Sequence, residues 1–160
     1  MKNVLICIIL FTISASACSK NDDSPIETDI SIPSANADVT NVSVTGEENN
    51  YTFSVEIKSP DLGCNQYADW WEIVSEDGTL LYRRILGHSH VNEQPFIRSG
   101  GPVNIAKDKI VYIRAHMNNQ GYGNVVFKGS VSVGFSQETL ETTFASELET
   151  TAPLPNGCAF

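Results

Sequence analysis

Beyond Asp38 the chain alternates apolar and polar positions with a period of two. Tyr51, Phe53, Val55 and Ile57 are interleaved with Thr52, Ser54, Glu56 and Lys58, and Val42 and Val44 precede them with the same period. That spacing predicts half-buried β-strands, whose successive side chains point to opposite faces. Similar runs recur at Ala68–Ser75, Thr79–Leu86, Phe96–Ser99, Lys109–Met117 and Val125–Val133. Turn signals separate them. Glu76-Asp77-Gly78 is a hairpin turn candidate because glycine tolerates the positive φ such turns use. Gly100-Gly101-Pro102 and Gly121-Tyr122-Gly123 punctuate the pattern in the same way.

About seven short strands at this turn spacing predict an all-β fold, an antiparallel β-sandwich of immunoglobulin-like or fibronectin-like type. Two stretches stay open. In Ser136–Thr151, Leu140, Phe144 and Leu148 fall four apart as on a helix face, while the threonines suit a strand; either way the region is acidic and expected to be exposed. Asp61-Leu62-Gly63-Cys64 is a loop or the end of a strand.

The first residues follow another rule. Lys2, an apolar run from Val4 to Ile13, and the small residues Ser14-Ala15-Ser16-Ala17 before Cys18 have the layout of an export signal. The apolar run is half the length of roughly twenty residues that a membrane-spanning helix needs. Residues 1–17 therefore read as a processed signal peptide, 18–37 as a tether rich in Ser, Asp, Asn and Pro that cannot bury enough surface to order itself, and 38–160 as the β-domain. Ala15-Ser16-Ala17-Cys18 resembles the lipobox of bacterial lipoproteins, although Ala15 stands where the commonest form has Leu. The resemblance implies a diacylglycerol thioether and an N-acyl chain on Cys18, enough acyl chains for stable anchoring. Ser19-Lys20-Asn21-Asp22-Asp23 resembles the surface-export signal of Bacteroidota lipoproteins. It implies an outer-membrane location at the cell surface, the periplasmic face being the alternative.

Charge narrows the partners. The formal charge of −9 becomes about −10 when Lys2 leaves with the signal, which argues against nucleic acid because phosphate binding needs a basic footprint. Of four cysteines, Cys7 lies in the signal and Cys18 at the acylation site, so Cys64 and Cys158 remain to form one disulfide outside the cytoplasm. A functional thiol pair is the rival, but no CxxC spacing supports it. The bridge would close a loop of about 95 residues, worth at most roughly 4 to 5 kcal/mol by chain entropy.

Candidate chemistry centres on three histidines. In an extended segment His88 and His90 point to one face and can converge on one ion. His116 is expected with Tyr112 and Arg114 on the outer face of its strand, available to a ligand, while Val111, Ile113 and Ala115 point inward. With Glu93 or Asp69 in support, these imidazoles suit Zn²⁺ or Cu²⁺. The other candidate is a platform for a glycan or a protein. Trp70 and Trp71 must face opposite ways on a strand, so one fills the core and the other is left outside, with Tyr67, Tyr82 or Tyr122 as neighbours. A positioned nucleophile is missing from the pattern, so a non-catalytic binding role is expected.

The segment His88-Ser89-His90-Val91-Asn92-Glu93-Gln94-Pro95-Phe96-Ile97-Arg98-Ser99, with Tyr67-Ala68-Asp69-Trp70-Trp71-Glu72 and Arg114-Ala115-His116, resembles a family of small secreted bacterial β-domains of unassigned function. The resemblance covers roughly residues 50–130. Ser89 departs from it, where Pro is usual, and so does Gln120, where a further His often precedes Gly-Tyr-Gly. It implies a β-fold and a candidate site, with no activity attached. Possible partners are thus the membrane, a metal ion, a glycan or an outer-membrane protein.

Overall fold

The computed structural model describes residues 35–159, an all-β sandwich of two antiparallel sheets. The expected signal peptide, Cys18 and most of the expected tether lie outside the described residues. The first sheet runs β1 (Asp38–Glu47), β2 (Asn50–Lys58) and β5 (Phe96–Val103), in that order. The second has the order β4 (Leu80–Ile85), β3 (Ala68–Ser75), β6 (Val111–Met117), β8 (Val125–Ser130) and β9 (Gly134–Thr139). The two-residue β7 (Gly121–Tyr122) pairs with the end of β6. Nine strands replace the expected seven, chiefly because the run expected at Val125–Val133 turns after Ser130 and returns as β9.

The alternation in β2 translates directly. Tyr51, Phe53, Val55 and Ile57 are buried and meet Trp71 and Ile73 of β3 and Val111, Ile113, Ala115 and Met117 of β6 in the main core. Burying each of these side chains contributes about 1.5 to 3 kcal/mol relative to exposure. Between β3 and β4 the expected hairpin forms: Gly78 has φ +86°, and Asp77 accepts hydrogen bonds from the Ser75 hydroxyl and from Thr79. Those bonds hold the Asp77 carboxyl down at about 2.

Gly100 and Gly101 are not a turn. They lie inside β5, where a Cβ on Gly100 would come 2.6 Å from the Tyr82 hydroxyl and one on Gly101 would come 2.7 Å from the Tyr51 carbonyl. Glycine is required there by close approach. Asp61–Cys64 proves to be a loop, closed by a bridge between Gly63 and Gln66.

All eight residues of β3 are buried, so both of its faces are covered. The sandwich covers one. The other, carrying Trp70, Glu72 and Val74, is roofed by the strap that follows β9, with Leu148 of a short 3₁₀ turn (Ser146–Thr150) packed against it. Neither an amphipathic helix nor a long strand forms over Ser136–Thr151, yet Phe144 and Leu148 do face the protein, as their four-residue spacing suggested. The strap ends at the Cys64–Cys158 disulfide, whose Cα atoms are 5.6 Å apart.

Candidate functional site

Strand register builds the roofed face. Glu72 lies opposite Arg83 of β4 on one side and Arg114 of β6 on the other. Its carboxylate, fully buried, accepts from Arg83 Nε at 2.7 Å and from Arg114 Nε at 2.8 Å. The remaining guanidinium hydrogens reach the strap. Arg83 donates to the carbonyls of Leu148, Thr151 and Pro153, and Arg114 to those of Phe144 and Ala145. One carboxylate and five carbonyls therefore satisfy two buried cations, as a low-dielectric interior demands. The strap is held by its backbone, which explains how a segment with so few apolar residues stays in place.

One register step along, Trp70 lies opposite His116. The two rings stack at 3.6 Å with 7° between their planes, Arg83 sits over the other part of the Trp70 environment at 4.5 Å from its ring centre, and Tyr122 meets both edge-on. Asp69 Oδ1 accepts from His116 Nδ1 at 2.7 Å, and Glu149 of the strap brings Oε1 to 3.8 Å from His116 Nε2. Asp69 engages Nδ1, so Nε2 is the ring nitrogen turned towards Glu149. This pair adjoins an open cleft of about 660 Å³, lined among others by Tyr67, Met117, Asn119, Glu149, Thr150 and Leu154.

These findings correct several expectations. His116 is on the predicted face with Arg114, but it is only 6% exposed because the strap covers that face. Trp70 and Trp71 do point opposite ways, yet neither is an exposed platform: Trp71 fills the main core and Trp70, 3% exposed, the second one. Tyr67 and Tyr122 are buried too, and Tyr82 packs against Trp71 instead of Trp70. A sheet whose outer face carries Trp70 and Val74 needs a cover, and the strap supplies it.

The histidines divide. Asp69 and His116 come together as above. His88 and His90 meet elsewhere, 4.4 Å apart by ring centres, in a different pocket beside Arg84 and Arg98. Glu93 turns away to an exposed ion pair with Arg98 at 2.8 Å. The three histidines expected to share one Zn²⁺ or Cu²⁺ ion, with Glu93 or Asp69 in support, thus do not converge, and among the described residues no group of three or more His, Cys, Asp or Glu is placed to hold a metal.

His90 has an unexpected environment. It is 2% exposed, stacks on Phe96 at 3.8 Å, and neither ring nitrogen has a partner. Its backbone N–H instead donates to Asp61 Oδ2 at 2.7 Å; Asp61, also buried, accepts in addition from Ser59, Ala68 and Ser89. Sequence reasoning passed over Asp61, whose buried role shows only when the loop is closed. Burial first, then Arg98 and His88, push His90 down to about 4, with Asp61 and Glu93 opposing. An unfolded imidazole titrates near 6.5, so the unfolded chain takes up a proton before the folded one does. The stability due to neutral His90 is complete above pH 6.5 and is lost as pH falls towards 4. Urea unfolding across that range should show a steeper loss in the parent chain than in His90→Gln; equal slopes would exclude His90 as the cause.

No protein-family model matches the chain, and no solved structure matches it. A protein of Halomicrobium mukohataei named "Putative lipoprotein" is 38% identical over 71 residues, 44% of this chain. The chain spans 35% of the length of that curated relative.

Proposed function

We propose that this chain is a lipoprotein, anchored through Cys18 in the outer membrane and displayed at the cell surface, that binds a hydroxyl-rich ligand of the glycan class without transforming it. The anchor rests on the signal-like sequence before Cys18 and on the name of the relative. The binding role rests on one observation, the open cleft over His116. Its volume of about 660 Å³ lies in the range of small-molecule sites, and its lining mixes carboxylate, amide and hydroxyl groups with the apolar edges of Tyr67, Met117 and Leu154. Glu149 offers an acceptor for sugar hydroxyls, His116 Nε2 a second polar contact, and Asn119 a donor. Asp69 fixes the His116 ring, so that contact is oriented before any ligand arrives, which lowers the entropic cost of binding.

Two measurements test this reading. Cys18→Ala should move the protein from the membrane to the soluble fraction and abolish labelling by radioactive fatty acid; unchanged fractionation would remove the anchor. On an oligosaccharide array the parent chain should be retained, and Glu149→Ala or Asn119→Ala should weaken retention by about tenfold, as loss of a hydrogen bond to a charged group or of two neutral ones predicts. No retention on any glycan, or retention untouched by both variants, would count against the cleft.

A further inference from the structure

The segment carrying His88 and His90 forms a second pocket of about 120 Å³, bounded by Arg84, His88, His90 and Arg98 and floored by Leu86. At roughly 30 Å³ per water, that is space for a few waters or one small polyatomic ion. Its polar walls are basic, and no acidic side chain is among the described residues that line it.

Each basic group has capacity to spare. Arg84 donates through Nε to Ser99 O and through Nη1 to Ile85 O, and it makes no ion pair with any carboxylate of the described residues. Arg98 shares Nη2 with Glu93 in a pair exposed to solvent, where such a contact is worth at most about 1 kcal/mol. His90 is nine-tenths buried and more, with both ring nitrogens unpartnered; the Asp61 carboxylate behind it lies 3.9 Å from Nδ1 and is already engaged by four donors. A buried polar group without a partner costs about 1 to 3 kcal/mol, and a ligand accepting from it would recover that. Phe96 holds the arrangement in place, stacked under His90 and 5.3 Å from the Arg98 guanidinium. The charged and titratable neighbours of His90 are thus Arg84, Arg98 and His88 at the pocket, with Asp61 behind and Glu93 outside.

We propose that this pocket binds a small oxyanion, a carboxylate, sulfate or phosphate group, through the guanidinium groups of Arg84 and Arg98 and a ring N–H of His90. Two guanidiniums match an oxyanion in charge and in fork geometry and repel the divalent cation that a His-x-His pair would otherwise suggest. The group is either a free inorganic anion or the acidic substituent of a sugar.

The test is calorimetric titration of the full-length chain in non-ionic detergent with sodium sulfate, sodium phosphate and sodium glucuronate separately, sodium chloride serving as the blank. The expected result is saturable binding of at least one of them, with one equivalent bound. Arg84→Gln, an exposed position whose loss should not disturb folding, is expected to weaken it by about tenfold or more, and Arg98→Gln likewise. Glu149→Ala in the cleft is expected to leave it unchanged, so that failure here is separable from failure of the glycan reading. Binding of glucuronate assigns the pocket to an acidic sugar; sulfate or phosphate alone assigns it to the inorganic ion. No saturable heat with any of the three, or binding in both arginine variants equal to that of the parent, overturns the proposal.

Discussion

Replacing Glu72 with alanine is expected to destabilise the protein by about 3 to 5 kcal/mol, the usual consequence of removing one partner from a buried ion pair. The reason is local and electrostatic. Glu72 is fully buried and accepts from both Arg83 and Arg114, so its loss leaves two guanidiniums in a low-dielectric layer with only backbone carbonyls for company. The same arginines hold the strap through five carbonyls, and a repelled or displaced arginine releases them. Against a total stability of about 5 to 15 kcal/mol for a domain of this size, the loss is about a fifth or more. Glu72→Gln keeps the volume and one acceptor and should fall between alanine and the parent. Denaturant midpoints of the three proteins check this, with Glu141→Ala as a solvent-exposed control expected within about 0.5 kcal/mol of the parent. A Glu72→Ala protein within about 1 kcal/mol of the parent would mean that the arginines find other partners.

The second large effect is expected from the disulfide. The Cys64–Cys158 bridge closes a sequence separation of 94 residues. Cys158→Ser should lower stability by about 2 to 4 kcal/mol, below the entropic ceiling because the strap is also held by hydrogen bonds. The location of the damage discriminates further. Arg83 and Arg114 grip the strap between Phe144 and Pro153, so those amides should keep their protection from hydrogen exchange. Beyond Pro153, where a backbone bond from Ala159 to Gly87 is the main remaining tie besides the bridge, exchange should accelerate in the variant. Uniform acceleration over residues 140–157 would show instead that the bridge holds the whole strap.

The sheet that alternates cleanly was the readable part of the fold. In β2 one face meets the core and the other meets solvent, so period two appears in the residues themselves, from Tyr51 to Ile57. The disulfide followed from an equally local signal, a count of the cysteines outside the signal-like segment and its lipobox-like end. β3 was found as a strand, but its covered second face was not recognised, since a strand buried on both sides has no polar phase to read. The signal available there was the isolated Glu72 between Trp71 and Ile73, and Arg114 between Ile113 and Ala115: a charge flanked by apolar neighbours on a central strand asks for a partner. Choosing that partner needs cross-strand register, which periodicity does not contain.

The same gap separates the histidines. Spacing brought His88 and His90 to one place, because two residues along an extended segment is a local relation. The meeting of His116 with Asp69 depends on how β3 pairs with β6, and its concealment depends on a strap more than twenty residues further along the chain. Glu149 entered the cleft by the same long-range route, whereas Asn119 sits on the turn that follows His116. Glycines misled for a related reason: Gly100 and Gly101 look like punctuation in one dimension and are packing requirements in three.

The account turns on the cleft beside His116 being where a ligand sits. The most direct measurement is backbone amide shift mapping of the full-length chain in detergent with a glycan that it retains on the array. Shifts are expected to concentrate at Asn118, Asn119, Glu149 and Thr150 and to need about tenfold more glycan in Glu149→Ala. Shifts confined to another surface of the sandwich, or the same shifts in the Glu149→Ala protein at the same glycan concentration, would contradict the account.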